Sequence, residues 1–223
     1  MQRTPEPEEL MNESAQALAY ASADFSEANT LFSRLLQRLR PGPQQGRALD
    51  LGCGPADIPM ALLRQHPALQ IHALDGAPAM LEIARQRLEA DPRVGSRLTL
   101  QCATLPGADL PRSHYDLILS NSLLHHLSDP NDLWLALKHC AADGAAILIM
   151  DLARPASADA VDALVDTYAR QEPRVLRKDF RNSLHAAYTP EEVRQQLLAH
   201  NLAGVEVRPV SDRHWAALGR FSR

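Results

Sequence analysis

The chain has 223 residues, 45% hydrophobic, 22% charged and 4% aromatic, with a formal net charge of −4 at pH 7. That length buries one sizeable core and lies near the upper end for a single domain. The acidic balance excludes an overall basic field for nucleic acid or anionic lipid, and there is neither a run of about 18 apolar residues nor an apolar leader after Met1. A cytoplasmic protein is expected, with no membrane and no nucleic acid favoured as partner. Cys53, Cys102 and Cys140 are odd in number and widely spaced, which suits neither a disulfide framework nor a CxxC metal site. They read as reduced thiols, and no metal is expected.

In chain order, residues 1 to 10 hold Thr4, Pro5, Pro7 and three glutamates and read as a frayed tail. Apolar residues then recur at helical spacing to Leu39, with a break at Asp24-Phe25-Ser26 that predicts two helices, the second ended by Pro41-Gly42-Pro43. Strands and helices alternate next: strand Arg47 to Leu51, helix from about Asp57 to His66, strand Gln70 to Leu74, helix Ala77 to Ala90. Strands Leu98 to Cys102 and Asp116 to Ser120, helix Asn131 to Ala142 and strand Ala145 to Asp151 follow. This alternation predicts a parallel sheet with helices on both faces. Beyond it a helix is expected from about Ser157 to Gln171, then a loop. Thr189-Pro190-Glu191-Glu192 is a capping box that starts a helix running to about Asn201. Gly204 to Val210 and His214 to Phe221 are joined by only Ser211-Asp212-Arg213, so they form an antiparallel hairpin.

The segment Leu49-Asp50-Leu51-Gly52-Cys53-Gly54-Pro55-Ala56-Asp57 ends an apolar strand in an acid and two glycines. Glycine lets the backbone turn sharply and lets a ligand approach where a Cβ would clash. This strand, loop and helix start is where open α/β sheets bind nucleotides. Asp75 follows the next strand, where a carboxylate accepts hydrogen bonds from both hydroxyls of a ribose; its plainer reading is a helix cap.

Asp50-x-Gly52-x-Gly54, Asp75-Gly76-Ala77-Pro78-Ala79-Met80-Leu81 and Tyr115 to Leu127, ending in His125-His126, together resemble the class I S-adenosylmethionine (SAM) methyltransferases. Ala56 stands where their third glycine often stands. The resemblance covers about residues 47 to 151 and, by topology, the terminal hairpin. It implies a Rossmann-like α/β fold with a seven-stranded, mostly parallel sheet, helices on both faces and a C-terminal antiparallel hairpin. It divides the single domain into an N-terminal helical lid (1–45), a cofactor core (46–151), a substrate cover (152–188) and a last helix with the hairpin (189–223). The implied cofactor is SAM, leaving as S-adenosylhomocysteine (SAH), bound by Asp50, Gly52, Cys53, Gly54, Asp75, Gly76, Ser120 and Asn121. Thr104 and Leu105 are candidates for the adenine, with Asp109 as a second register.

The implied reaction is in-line methyl transfer to a small molecule, for which the cofactor holds the activation and the protein aligns the partners. Candidate catalytic residues are His125, Tyr20 and Asp151. Phe25, Asn29, His126, Arg154, Arg181, His185 and Tyr188 are candidates for the substrate. Each has a duller reading: His125 as pocket wall, Tyr20 and Phe25 as lid packing, Asp151 as a partner of loop amides. The run Arg174, Arg177, Lys178 and Arg181 is either a grip for an anionic acceptor or a solvated charge run. An RNA or protein methyltransferase and a non-catalytic SAM-binding module are the alternatives, and a monomer or homodimer is expected.

Overall fold

The computed structural model describes residues 1–6 and 10–223; part of the expected frayed tail, 7–9, lies outside them. Helices α1 (Ser14–Ser22) and α2 (Ser26–Leu39) precede β1 (Gln45–Leu51), α3 (Asp57–Gln65), β2 (Ala68–Asp75) and α4 (Pro78–Glu89). β3 (Leu98–Cys102), β4 (Tyr115–Asn121), α5 (Asn131–Cys140) and β5 (Ala141–Leu152) complete the alternating part. α6 (Ala158–Tyr168), α7 (Arg174–Ala186), α8 (Pro190–Ala199), β6 (Val205–Pro209) and β7 (His214–Arg220) close the chain.

The strands lie in the order β3-β2-β1-β4-β5-β7-β6. Pairing is parallel from β3 to β5, and β7 runs antiparallel to both β5 and β6. Period-two alternation along each strand divides the core into two layers. Leu49, Leu51, Ile118, Ile147 and Ile149 pack with Leu133, Trp134 and Leu137 of α5 and Val193 and Leu197 of α8. Ala48, Leu117, Leu119, Leu148 and Met150 face the other way, onto Phe32, Leu35 and Leu36 of α2, Leu62 and Leu63 of α3 and Leu81 and Ala84 of α4. In the hairpin, a Cβ on Gly219 would collide with the Gly204 carbonyl and lie 2.8 Å from the Val205 Cα; only glycine lets β6 close on β7 there.

Two expectations are corrected. The loop expected after α6 is the helix α7, whose Leu176, Phe180 and Leu184 recur every four residues on one face. Residues 1–6 do not fray: they lie along α7 as a strap. The Met1 ammonium donates to Ala156 O at 3.1 Å, Arg3 Nε to Ala186 O at 2.6 Å and Thr4 N to His185 O at 3.0 Å. Composition missed this because the strap is held by polar groups, which hydropathy reads as solvated. Smaller differences are shifts of one to four residues in element bounds: α5 stops at Cys140 rather than Ala142, and β5 starts at Ala141 rather than Ala145, because Ala141 already pairs with Tyr115.

Among the described residues no helix is long and apolar enough to cross a membrane.

Candidate active site

β1 delivers the loop Gly52–Ala56 to the carboxyl edge of the sheet. Gly52 N and Cys53 N both donate to Leu74 O, at 2.8 and 2.9 Å, which folds the loop back over the end of β2. Gly52 has φ +75°, and a Cβ there would sit 2.9 Å from Leu123 Cβ, so the position admits no side chain. Gly54, at φ +53°, faces open space instead. Ala56 adopts the left-handed conformation at φ 63° just before α3, which explains why glycine suits that position elsewhere.

Asp75 holds this loop. Its Oδ2 accepts from Gly54 N at 2.7 Å and its Oδ1 from Ala77 N at 2.8 Å, leaving each oxygen with further lone pairs toward the cavity. The cap reading and the ligand reading are therefore compatible. Burial raises the Asp75 pKa, against the pull of the two amides and of His126.

Asp50 is 3% exposed and lines the same cavity. Burial, then the neighbouring charge of Asp75, push its pKa up to about 7. Asn121, at the end of β4, keeps its Oδ1 buried and without a partner on the cavity wall. A buried unpaired acceptor beside a strained carboxylate is a costly arrangement that a ligand donor would relieve. Ser120 stands behind the wall, its Oγ donating to Leu51 O at 2.8 Å.

After β4, Ser122 takes φ 57° and turns the chain into a short 3-10 turn, Leu124–His126. The turn presents His125 between the sheet edge and the cavity. His125 Nδ1 lies 2.5 Å from Asp151 Oδ1, at the end of β5, and its backbone N donates to Asp151 Oδ2 at 3.3 Å. Both side chains are almost wholly buried. Burial pulls the His125 pKa down, but the charge and hydrogen bond of Asp151 outweigh it and hold the imidazole above its ordinary value. Asp151 fixes the ring at Nδ1, which leaves Nε2 for the cavity, as in a histidine–carboxylate dyad.

The cavity, of about 300 Å³, runs from the Asp75 loop past His125 to a chamber walled by α1, α2, α6 and α7. Tyr20, Phe25, Asn29 and His126 line it. Tyr20 packs on Phe25 with ring centroids 4.6 Å apart. Burial, then Asp57, Asp75 and Asp151, raise the Tyr20 phenol further, so it stays protonated at neutral pH and offers a hydroxyl rather than a phenolate. Cys53 is likewise raised by burial and by Asp50 and Asp75, and remains an inert thiol.

Several candidates lie elsewhere. Arg154 is absent from the lining because its guanidinium is consumed by Met1 O, Ala187 O and Glu192 Oε1. Arg181 pairs with Asp162 on the outer side of α7. His185 does not reach the cavity, one turn beyond Arg181 under the strap. Tyr188 is buried in the core, capped by the Arg3 guanidinium 4.2 Å from its ring centre. Thr104 touches the edge of the site at Gly76, where a Cβ would lie 3.0 Å from its Cγ2, while Leu105 packs on the core. Neither they nor Asp109 line the cavity.

Tyr168, Leu176, Phe180, Ser183, Arg213 and His214 do line it, and sequence reading passed over them. The spacing of Leu176 and Phe180 was the available signal for α7. Arg213 reaches the cavity from the β6–β7 turn, its guanidinium 3.4 Å from the centre of the Tyr168 ring and paired with Asp212 and Glu27. Burial, then Arg213, lower the His214 pKa to about 4, so that imidazole is neutral.

Residues 49–147 match a family model described as a methyltransferase domain. With the strand order and the loop geometry, that match makes this stretch similar to a methyltransferase domain. A malonyl-[acyl-carrier protein] O-methyltransferase of Paenibacillus sp. (strain JDR-2) is 28% identical over 130 residues, 58% of this chain and 47% of that protein. A trans-aconitate 2-methyltransferase of Rhizobium etli is 28% identical over 127 residues, 57% and 46% of the two chains. The matches thus span about half the length of these relatives. A solved SAM-dependent methyltransferase from Aquifex aeolicus superposes with a TM-score of 0.67 at 17% identity, over 93% of this chain and 98% of that one. The fold is therefore that of this solved SAM-dependent methyltransferase.

Proposed function

We propose that the protein transfers a methyl group from SAM to a small-molecule acceptor, with His125 taking the acceptor's proton. The observation that carries this reading is a single cavity that has the Asp75–Gly54 cradle at one end and the His125–Asp151 dyad on its wall. When bound, SAM supplies a methyl on a sulfonium leaving group, so little activation is asked of the protein.

The residues present fit that group. Asp75 has lone pairs left for the two ribose hydroxyls, and the open face of Gly54 admits a ligand where a Cβ would intrude. Asp50 and the unpaired Asn121 Oδ1 suit the ammonium of the methionine end, which would neutralise the one and satisfy the other. Gly52, Cys53 and Gly76 shape the cradle, with Leu10, Met11 and Met80 as apolar cover.

At the acceptor end Tyr20, Phe25, Leu152, Tyr168, Leu176 and Phe180 exclude water. With SAM bound, the cofactor would supply the methyl and its sulfonium leaving group, and His125, held at Nδ1 by Asp151, would take the acceptor's proton at Nε2. Asp151 then stabilises the imidazolium. The acid side chains Asp24, Glu27, Glu172 and Asp179 along the same wall disfavour a polyanion such as RNA. Arg213 is the cation available to an anionic acceptor, after exchanging its exposed partner Glu27 for it.

Calorimetry with SAH tests the cofactor half: binding is expected in the wild type and a loss of at least about 100-fold in Asp75→Ala, the worth of two charge-assisted hydrogen bonds. Radiolabelled SAM incubated with a small-metabolite extract tests the other half. Label is expected to pass to low-mass products and to fall by about 100-fold or more in His125→Asn. Absence of SAH binding in the wild type would sink the reading.

A further inference from the structure

The strap brings an acid to the histidine pair that the alternating core does not supply. Glu6 Oε2 lies 2.6 Å from His126 Nδ1, and Glu6 Oε1 accepts from Ser183 Oγ of α7 at 2.6 Å. Its side chain is only 9% exposed. The His126 ring lies against the His125 ring, with centroids 4.0 Å apart. Arg3, on the same strap, donates to His125 O at 3.2 Å. The 3-10 turn is thus gripped from the backbone by Arg3 and from the side chain by Glu6, while Asp151 holds it from the sheet.

Glu6, His125 and His126 also place ligand atoms within 4.8 Å of one another. A metal does not fit them as they stand. Two ligand atoms on a tetrahedral zinc are separated by roughly 3.3 Å, whereas Glu6 and His126 are at hydrogen-bond distance.

We infer that Glu6 is a positioning residue, which uses the N-terminal strap to fix the His125–His126 pair at the acceptor end of the cavity. The inference rests on the reading of His125 as proton acceptor. It makes residues 1–6 part of the active site and gives the strap an electrostatic effect on the base. Among the described residues the charged and titratable groups around the His125–Asp151 pair include Glu6 and Arg3 from the strap, His126 in the same turn, Tyr20 of α1 and His214 of β7; α7 contributes the neutral Ser183. Burial lowers the His125 pKa; among the charges Asp151 raises it most, Glu6 raises it further and Arg3 lowers it. The two strap residues therefore act in opposite directions, which simple support of the fold would not produce.

The test is NMR titration of the His125 ring in the full chain saturated with SAH, its resonance assigned by loss in His125→Asn. Glu6→Gln, which keeps the size and an oxygen acceptor, is expected to shift the His125 midpoint down. Arg3→Met is expected to shift it up. SAH affinity, read by calorimetry on the same samples, is expected to stay within about threefold in both variants. An unmoved midpoint in both variants, or shifts of the same sign, would overturn the inference while SAH binding left the cofactor reading intact. If Glu6→Gln unfolds, Arg3→Met alone still decides, by the upward shift or its absence. Failure of the wild type to bind SAH condemns the methyltransferase reading instead; the same two midpoint shifts, measured without SAH, then support the strap's role or overturn it.

Discussion

Asp50 is an unusual place for a carboxylate, almost wholly buried and without a hydrogen bond among the described residues. Its elevated pKa makes ligand binding a proton-linked event. A cationic ammonium favours the ionised form, so the bound-state pKa falls below the free-state value of about 7. The sign follows: at pH above that value Asp50 is already ionised and affinity is flat, and as pH falls through it a proton competes with the ligand. SAH affinity is expected to weaken by up to about tenfold per unit below pH 7, and calorimetry across pH should find that slope gone in Asp50→Asn. At this scale the sequence carried real information. Asp50, Gly52, Gly54 and Asp75 were legible as candidates because backbone geometry at a strand end restricts which residues fit there, and the structure sets all four on one cavity. Glu6 and Arg213 did not, since an acid in a polar tail and an arginine in a hairpin turn look the same whether solvated or not.

At the level of elements, α7 is the lesson. Its charged residues suggested either an anion grip or a solvated charge run, and Arg177 and Arg181 in fact pair with Asp166 and Asp162 of α6. The inner face carries Leu176, Phe180 and Leu184, and Leu184 is buried with Leu152, Val161 and Val165 in a small cluster of its own. That cluster fastens the cover to the end of β5. Leu184→Ala is expected to lower stability by about 3 kcal/mol, measured by urea denaturation. The chamber wall loosens with it, while the Asp75 cradle on the far side stays. The strands and most helices were legible because each has one apolar period, whereas in α7 the many charges on the outer face masked the period on the inner one. The strap was illegible for a related reason, as hydrogen bonds to backbone carbonyls leave no hydrophobic signature.

For the whole molecule, the proposed cofactor cradle and the cover share one cavity. A ligand that binds only the folded state stabilises it by about 2.7 kcal/mol at a concentration 100 times its Kd. For a domain of this size that is a rise in Tm of roughly 5–10 °C, which differential scanning with SAH would record and which Asp75→Ala should abolish. The sequence alone determined the parallel sheet with its final hairpin, the loop after β1 and the acid after β2, because periodicity, turn length and glycine placement act over a few neighbouring residues. Only the tertiary structure decided which side chains line the cavity proposed for the acceptor and which stand behind its wall. His125, Ser183 and Arg213 on the cavity wall and Asp151 and Glu6 behind it come from five distant segments, which only the sheet and its cover bring together.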